Sequence, residues 1–171
     1  MANQLPCDPQ ADPVHEARVA ARQLLQNRHS LAIASIDEAG EPLVSTCPFA
    51  REGEDFLIVV SGLAAHGVSL ARGGVVSVML LEDEQQARQP FARQRLSFRC
   101  EVLAVSASDA RSEVFDALHR RFGAIARMLE QLGDFRAYRL RPMGGRFVMG
   151  FGAAFSFDGG AIEDMKAVRG A

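Results

Sequence analysis

Three stretches of this chain hold residues whose types and spacing can do chemistry. In Phe56–Arg72 an apolar run, Phe56–Val60, passes through Ser61-Gly62 into a short helix predicted from Leu63 to Arg72. A strand that turns into a helix leaves the first backbone N–H groups without intrahelical partners, and they point one way with the positive end of the dipole. Such a turn holds anions, phosphate in particular. Ser61 adds a hydroxyl, and His66 an imidazole able to donate to the same group. A plain capped helix with a surface histidine is the alternative reading of these residues. The second stretch is Phe91-Ala92-Arg93-Gln94-Arg95. Arg93 and Arg95 share a face if a strand already begins there, and two guanidinium forks suit a phosphate or a carboxylate. A solvated charged face is the plainer explanation. The third is Gly144-Gly145-Arg146-Phe147-Val148-Met149-Gly150-Phe151-Gly152. Extended, it puts Phe147, Met149, Phe151, Ala153, Phe155 and Phe157 on one face and Val148, Gly150, Gly152, Ala154 and Ser156 on the other. The small face permits close approach of another backbone, a partner subunit or a flat ring, the first being the simplest. It is not a dinucleotide fingerprint, because Phe155 stands where the third glycine belongs and no helix follows.

Other chemistries are poorly served. There is no G-x-S-x-G, P-loop or H-E-x-x-H, and His15, His29, His66 and His119 lack metal-ligand spacing. Cys7, Cys47 and Cys100 are too few and too far apart for a disulfide framework or a zinc cluster; the last two read as small buried strand residues. The basic residues are all arginine except Lys166, so an anionic ligand is held by guanidinium groups, backbone N–H groups or histidine. The formal net charge is −2, which provides no global field for a nucleic acid or an anionic membrane. No apolar run reaches the ~20 residues of a membrane span, and the polar start lacks a signal-peptide pattern, so a cytoplasmic protein is expected. With 171 residues, 48% of them hydrophobic and 23% charged, and a mean hydropathy of +0.01, the chain has the composition of an ordinary globular domain.

The elements that must position these groups are legible in outline. Residues 1–12 read as a flexible tail, 13–158 as the domain and 159–171 as a C-terminal tail. Asp12-Pro13 is an N-cap followed by a first-turn proline, and Val14, Ala17, Ala21 and Leu24 give a helix over 13–28. Leu31–Ile36 and Leu43–Ala50 form a hairpin around Asp37–Gly40, with Pro48 near an edge or bulge, and Phe56–Val60 follows as a buried strand. Val75–Leu81 and the alternating Arg95–Val102 are further strands. One long helix is predicted from Ser108, its N-cap, to Leu132, ended by Gly133. Phe135–Leu140 and Arg146–Phe157 complete the set as a hairpin around Pro142–Gly145. The sum is a mainly β fold with helices (α+β): six or seven antiparallel strands, enough to close a small barrel.

Taken in order, Ser45-Thr46-Cys47-Pro48-Phe49-Ala50, Ser61-Gly62-Leu63-Ala64-Ala65-His66 with Leu70, Phe91–Leu96, Gly133-Asp134-Phe135 and Phe147–Gly152 resemble the FMN-binding split-barrel superfamily that includes pyridoxamine-phosphate oxidases. Within it they are most similar to the haem-utilisation branch, and the resemblance covers roughly residues 14–158. It implies a split barrel and a homodimer with flavin or haem sites at the subunit interface, acting on a small molecule that the sequence does not identify. In a flavoprotein of this kind, Ser61 and His66 of one subunit and Arg93 and Arg95 of the other hold the FMN phosphate. Ser45 and Pro48 then lie along the ring or ribityl chain, and FMN-dependent redox chemistry follows. The alternative is haem. Haem-binding relatives use a histidine near the C-terminus, assisted by an aspartate resembling Asp134; here no histidine follows His119. The candidate iron ligand becomes His66, or His119, with Asp134 beside it and the arginines on the propionates. His66 also stands where the oxidase branch carries lysine, and Gly67 and Ser69 replace hydroxyl and amide residues.

Overall fold

The computed structural model describes residues 12–168. Helix α1 (Pro13–Asn27) begins as the sequence predicts: the Asp12 side chain accepts from the Val14 N–H at 3.0 Å. Its stripe of Ala17, Ala21, Leu24 and Leu25 is buried. Nine strands follow: β1 (Ser30–Ile36), β2 (Pro42–Pro48), β3 (Ala50–Glu52), β4 (Asp55–Ser61), β5 (Val75–Leu81), β6 (Arg95–Val105), β7 (Phe135–Gly150), β8 (Ala153–Asp158) and β9 (Lys166–Ala167). Between them lie α2 (Ala65–Ala71), α3 (Ser108–Phe122) and α4 (Ala124–Glu130). The strands pair in the order β2-β1-β5-β6-β7-β4-β3, with β8 added to β7 and β9 to β8, and every pairing is antiparallel. Edge strand β2 packs against β4 without pairing to it, so the sheet curls into a split barrel.

Alternation along the strands builds the core. Leu31 and Ile33 of β1, Val76, Val78 and Leu80 of β5, and Leu96, Phe98 and Cys100 of β6 all point inward. Phe49, Phe56, Phe98 and Phe157 form a chain of edge-to-face rings through the centre. A second cluster joins Leu57 and Ala137 on the other face of the sheet to Val114, Phe115 and Leu118 of α3. Cys47 and Cys100 are free and buried, and burial pushes both thiols up to about 12, so neither is reactive.

Three expectations are corrected. The long helix 108–132 is two helices, because Gly123 adopts φ +73° and donates to the His119 carbonyl at 2.8 Å; its N-cap is Ala107, not Ser108. There is no hairpin around Pro142–Gly145. Strand β7 runs straight through, and the turn comes at Phe151-Gly152, where Gly152 has φ +69°. Pro142 is tolerated because it sits opposite Cys100 at a bulge, between Leu140, the last residue paired to β4, and Gly144, the first paired to β8. With the turn displaced, Phe151 is 73% exposed. The close approach predicted for the small-residue face occurs instead at Gly145, where a Cβ would lie 2.2 Å from the Phe157 ring. Finally, residues 159–168 are part of the barrel rather than a tail: Ile162 and Met165 are buried in the main core, and β9 pairs with β8. Of the N-terminal tail, only Asp12 lies within the described residues.

Candidate functional site

The predicted site residues fall into two groups. Ser61 ends β4, and its hydroxyl donates to the Asp134 carboxylate while accepting from the Leu63 N–H at 3.2 Å. Ser45 Oγ lies 3.1 Å from His66 Nδ1, which ties β2 to the first turn of α2. The β4–α2 turn joins these two pairs. Leu63, at its apex, is 85% exposed, and Leu132 is exposed just before Gly133-Asp134.

The turn holds donors of two kinds: those leading into α2 are engaged, whereas the first-turn amides of α2 itself, Ala65, His66 and Gly67, have no backbone acceptor among the described residues. Gly62 N–H donates to the Asp134 carbonyl at 2.7 Å, and Ala64 N–H to the Ser61 carbonyl at 3.2 Å. With Leu63 N–H on Ser61 Oγ, three successive amides are engaged internally. A carboxylate, arriving from 73 residues away, already accepts the serine proton. A phosphate brought here would meet that negative charge beside the first-turn amides of α2.

Gly67 lets the turn close. A Cβ there would lie 2.0 Å from the Ser61 carbonyl oxygen, so α2 packs against the end of its own preceding strand. Ser69 is buried and donates to the Ile36 carbonyl at 2.7 Å, pinning α2 to β1. Burial lowers the His66 pKa, so the ring is held neutral. Its Nε2 has no hydrogen-bond partner among the described residues.

Pro48, Arg93 and Arg95 are elsewhere. Pro48 is three residues beyond Ser45 on β2 and points to the opposite face. Arg93 precedes β6 instead of belonging to it, so it does not share a strand face with Arg95. Its Nε donates to the Glu82 carbonyl at 2.6 Å, and its Nη1 lies 3.4 Å from the Glu84 carboxylate. Arg95 opens β6 and contacts the Arg93 carbonyl at 3.3 Å. Ser61 pairs with Phe135 at one end of β7, whereas Arg95 pairs with Val148 near the other. Roughly 40 Å of strand separates those partners at ~3.3 Å per residue. One chain does not bring the arginines to the Ser61–His66 turn.

Sequence reasoning missed Arg136, whose Nε would lie 3.1 Å from a Cβ at Gly62. Its place two residues beyond Asp134 was the available signal. The restraint of Arg93 was visible too, in the acidic run Glu82-Asp83-Glu84.

A family profile described as pyridoxamine 5'-phosphate oxidase matches residues 18–149. The chain belongs to that family. Within it, the sequence is 38% identical over 144 residues to a Vibrio cholerae protein named "Heme oxygenase HutZ", covering 84% of this chain and 82% of that one. The crystal structure of Vibrio cholerae HutZ, there described as a haem storage protein, superposes with a TM-score of 0.71 at 34% identity, over 83% of this chain and 94% of that one. Campylobacter jejuni ChuZ shares the fold with a TM-score of 0.80 at 22% identity, over 90% of this chain and 63% of that one. These likenesses agree with the haem-utilisation branch of this oxidase-related family and with the split-barrel fold. No helix among the described residues is long and apolar enough to cross a membrane.

Proposed function

We propose that this protein binds haem at the β4–α2 turn and serves haem utilisation, as a homodimer. The observation that carries the reading is His66. Its Nδ1 is held by Ser45 Oγ, its Nε2 is unpartnered, and burial favours the neutral ring, which is the metal-ligating form of histidine. His66 would hold the iron through Nε2, and Nδ1 would then carry the proton and donate to Ser45 Oγ. Exposed Leu63 and Leu132 offer apolar surface for a porphyrin face, and Asp134, oriented by Ser61, places a hydrogen-bond acceptor beside the site. Bound haem would supply a redox-active iron centre; the protein supplies the ligand, its orientation and the apolar cover.

FMN is less well supported, because the serine proton is already given to Asp134 and that carboxylate opposes a phosphate beside it. Support for a second copy comes from the outer face of β2, β1 and β5. There Val44 and Thr46, Ala32 and Ala34, and Ser77 and Met79 stand in register with no charged side chain among them. An uncharged sheet face of this kind suits a subunit interface.

The test is titration with haem, following the Soret band. One haem per chain is expected, bound at least tenfold more weakly by His66→Ala with a changed band position. An identical spectrum and affinity in His66→Ala, or a wild-type protein that ignores haem and takes up yellow FMN, would refute the reading. In the same preparation Ala34→Arg should convert dimer to monomer in sedimentation.

A further inference from the structure

A separate cavity of about 240 Å³ opens where β6 ends, between the end of α2 and the first half of β7. Ala71, Ala104, Ser106, Arg111, Arg136 and Tyr138 define it, and no carboxylate side chain lines it. Two of its polar groups lack partners. Tyr138 is 2% exposed, yet its hydroxyl makes no hydrogen bond among the described residues. The hydroxyl keeps contact with the accessible space of the cavity, so a ligand there can reach it. Arg136 makes no ion pair and no side-chain hydrogen bond among the described residues. Arg111, by contrast, is committed: it lies over the Phe115 ring and donates to the Glu130 and Phe135 carbonyls. Burial raises the Tyr138 pKa and the Arg136 charge acts against that rise, so the phenol stays protonated with a cation near it. A neutral O–H donor beside a free guanidinium, over small apolar walls, is a receptor for a singly charged acid group.

We propose that this cavity receives a carboxylate, one oxygen accepting from the Tyr138 hydroxyl and the other from Arg136, with Ala71 and Ala104 covering its short apolar arm. The volume is below that of pockets enclosing drug-sized molecules, so no porphyrin or flavin ring enters. Two sources present this chemistry. Arg136 packs against Gly62, so a propionate arm of haem bound at the adjoining turn can reach it, a source that rests on the haem reading. A free small carboxylic acid is the other and does not depend on it.

Tyr138→Phe keeps the ring and Arg136→Gln keeps the length, and the test compares both with wild type in two titrations. In the first, haem and haem dimethyl ester are compared. A cofactor arm in the cavity makes wild type prefer haem at least tenfold, and both variants bring that ratio near one without moving the Soret band set by His66. In the second, sodium propionate is added to the protein without haem. A free acid in the cavity perturbs the amides around Arg136, with affinity at least tenfold lower in both variants. Either result supports the proposal, and variants that alter neither measurement overturn it. Wild type that gives no Soret band defeats the haem reading alone. Propionate binding then decides this proposal, and its absence overturns it.

Discussion

Replacing Gly67 by alanine sets two effects of opposite sign against each other. Glycine inside a helix is about 1 kcal/mol less favourable than alanine, so propensity alone makes Gly67→Ala stabilising by that amount. The structure says otherwise. The new Cβ would stand 2.0 Å from the Ser61 carbonyl oxygen and 3.0 Å from its carbon, both backbone atoms of a strand paired to β7. A methyl group needs more than 3 Å of clearance, so either α2 lifts by over 1 Å or the end of β4 moves. Forcing a methylene into a packed site costs about 1–3 kcal/mol, and after the propensity gain the net change is destabilisation of about 0–2 kcal/mol. At 2–4 °C per kcal/mol for a chain of this size, the melting temperature drops by up to about 8 °C. The larger effect is local: lifting α2 separates His66 from Ser45, so haem affinity falls more than stability. Urea unfolding gives the first quantity and Soret titration the second, with Val68→Ala, on an exposed side of the same helix, as the control without a clash. A Gly67→Ala protein about 1 kcal/mol more stable than wild type, with haem binding intact, would refute the reasoning.

Three further outcomes follow from other contacts. Ser61→Ala removes the donor to Asp134 and the acceptor for Leu63 N–H; a loss of about 1–2 kcal/mol in urea unfolding is expected, since one partner is charged. His66 has a pKa lowered by burial from 6.5, so the unfolded chain binds the extra proton more readily. Stability should therefore fall as pH drops below about 6.5 towards the lower folded value, and His66→Gln should flatten that part of the unfolding-versus-pH curve. Arg139 joins the β3–β4 hairpin to β7 by contacting Glu52 at 2.6 Å and Asp55 at 3.2 Å. Because Arg139 and Glu52 remain partly wet, Arg139→Gln should cost only about 1 kcal/mol, and raised salt should shrink the difference from wild type.

What could be read without coordinates was whatever local patterning determines. The apolar runs at Leu31–Ile36 and Phe56–Val60, the strict alternation after Arg95 and the Asp12-Pro13 cap each point to one conformation, and each is found. The errors came where a distant partner decides. Phe122, Ile125 and Leu129 keep helical spacing across Gly123, so periodicity does not register the break that its backbone makes. Pro142-Met143-Gly144-Gly145 is turn-like in composition, but a bulge opposite Cys100 accommodates the proline and Phe157 fills the space over Gly145. The site shows the same division. That Ser61 and His66 flank the strand-to-helix turn was legible from position, whereas the contact of Asp134 with Ser61 spans 73 residues. Arg93 looked like a free cation until the loop folded Glu82 and Glu84 onto it.

The handover at Pro142 has one more consequence. Residues 135–140 of β7 carry β4 and residues 144–150 carry β8; between them no residue is paired to either strand, and the Met143 carbonyl accepts from the Gly159 N–H at 3.2 Å. The sheet thus has a seam in its main-chain pairing: β8 and the β3–β4 hairpin hang from separate lengths of one strand, while Phe157 and Phe56 meet the same core ring. Fraying of β8 would break its own ladder and leave the hairpin's main-chain bonds to β7 in place, and amide exchange along β7 would register the change of neighbour at Pro142.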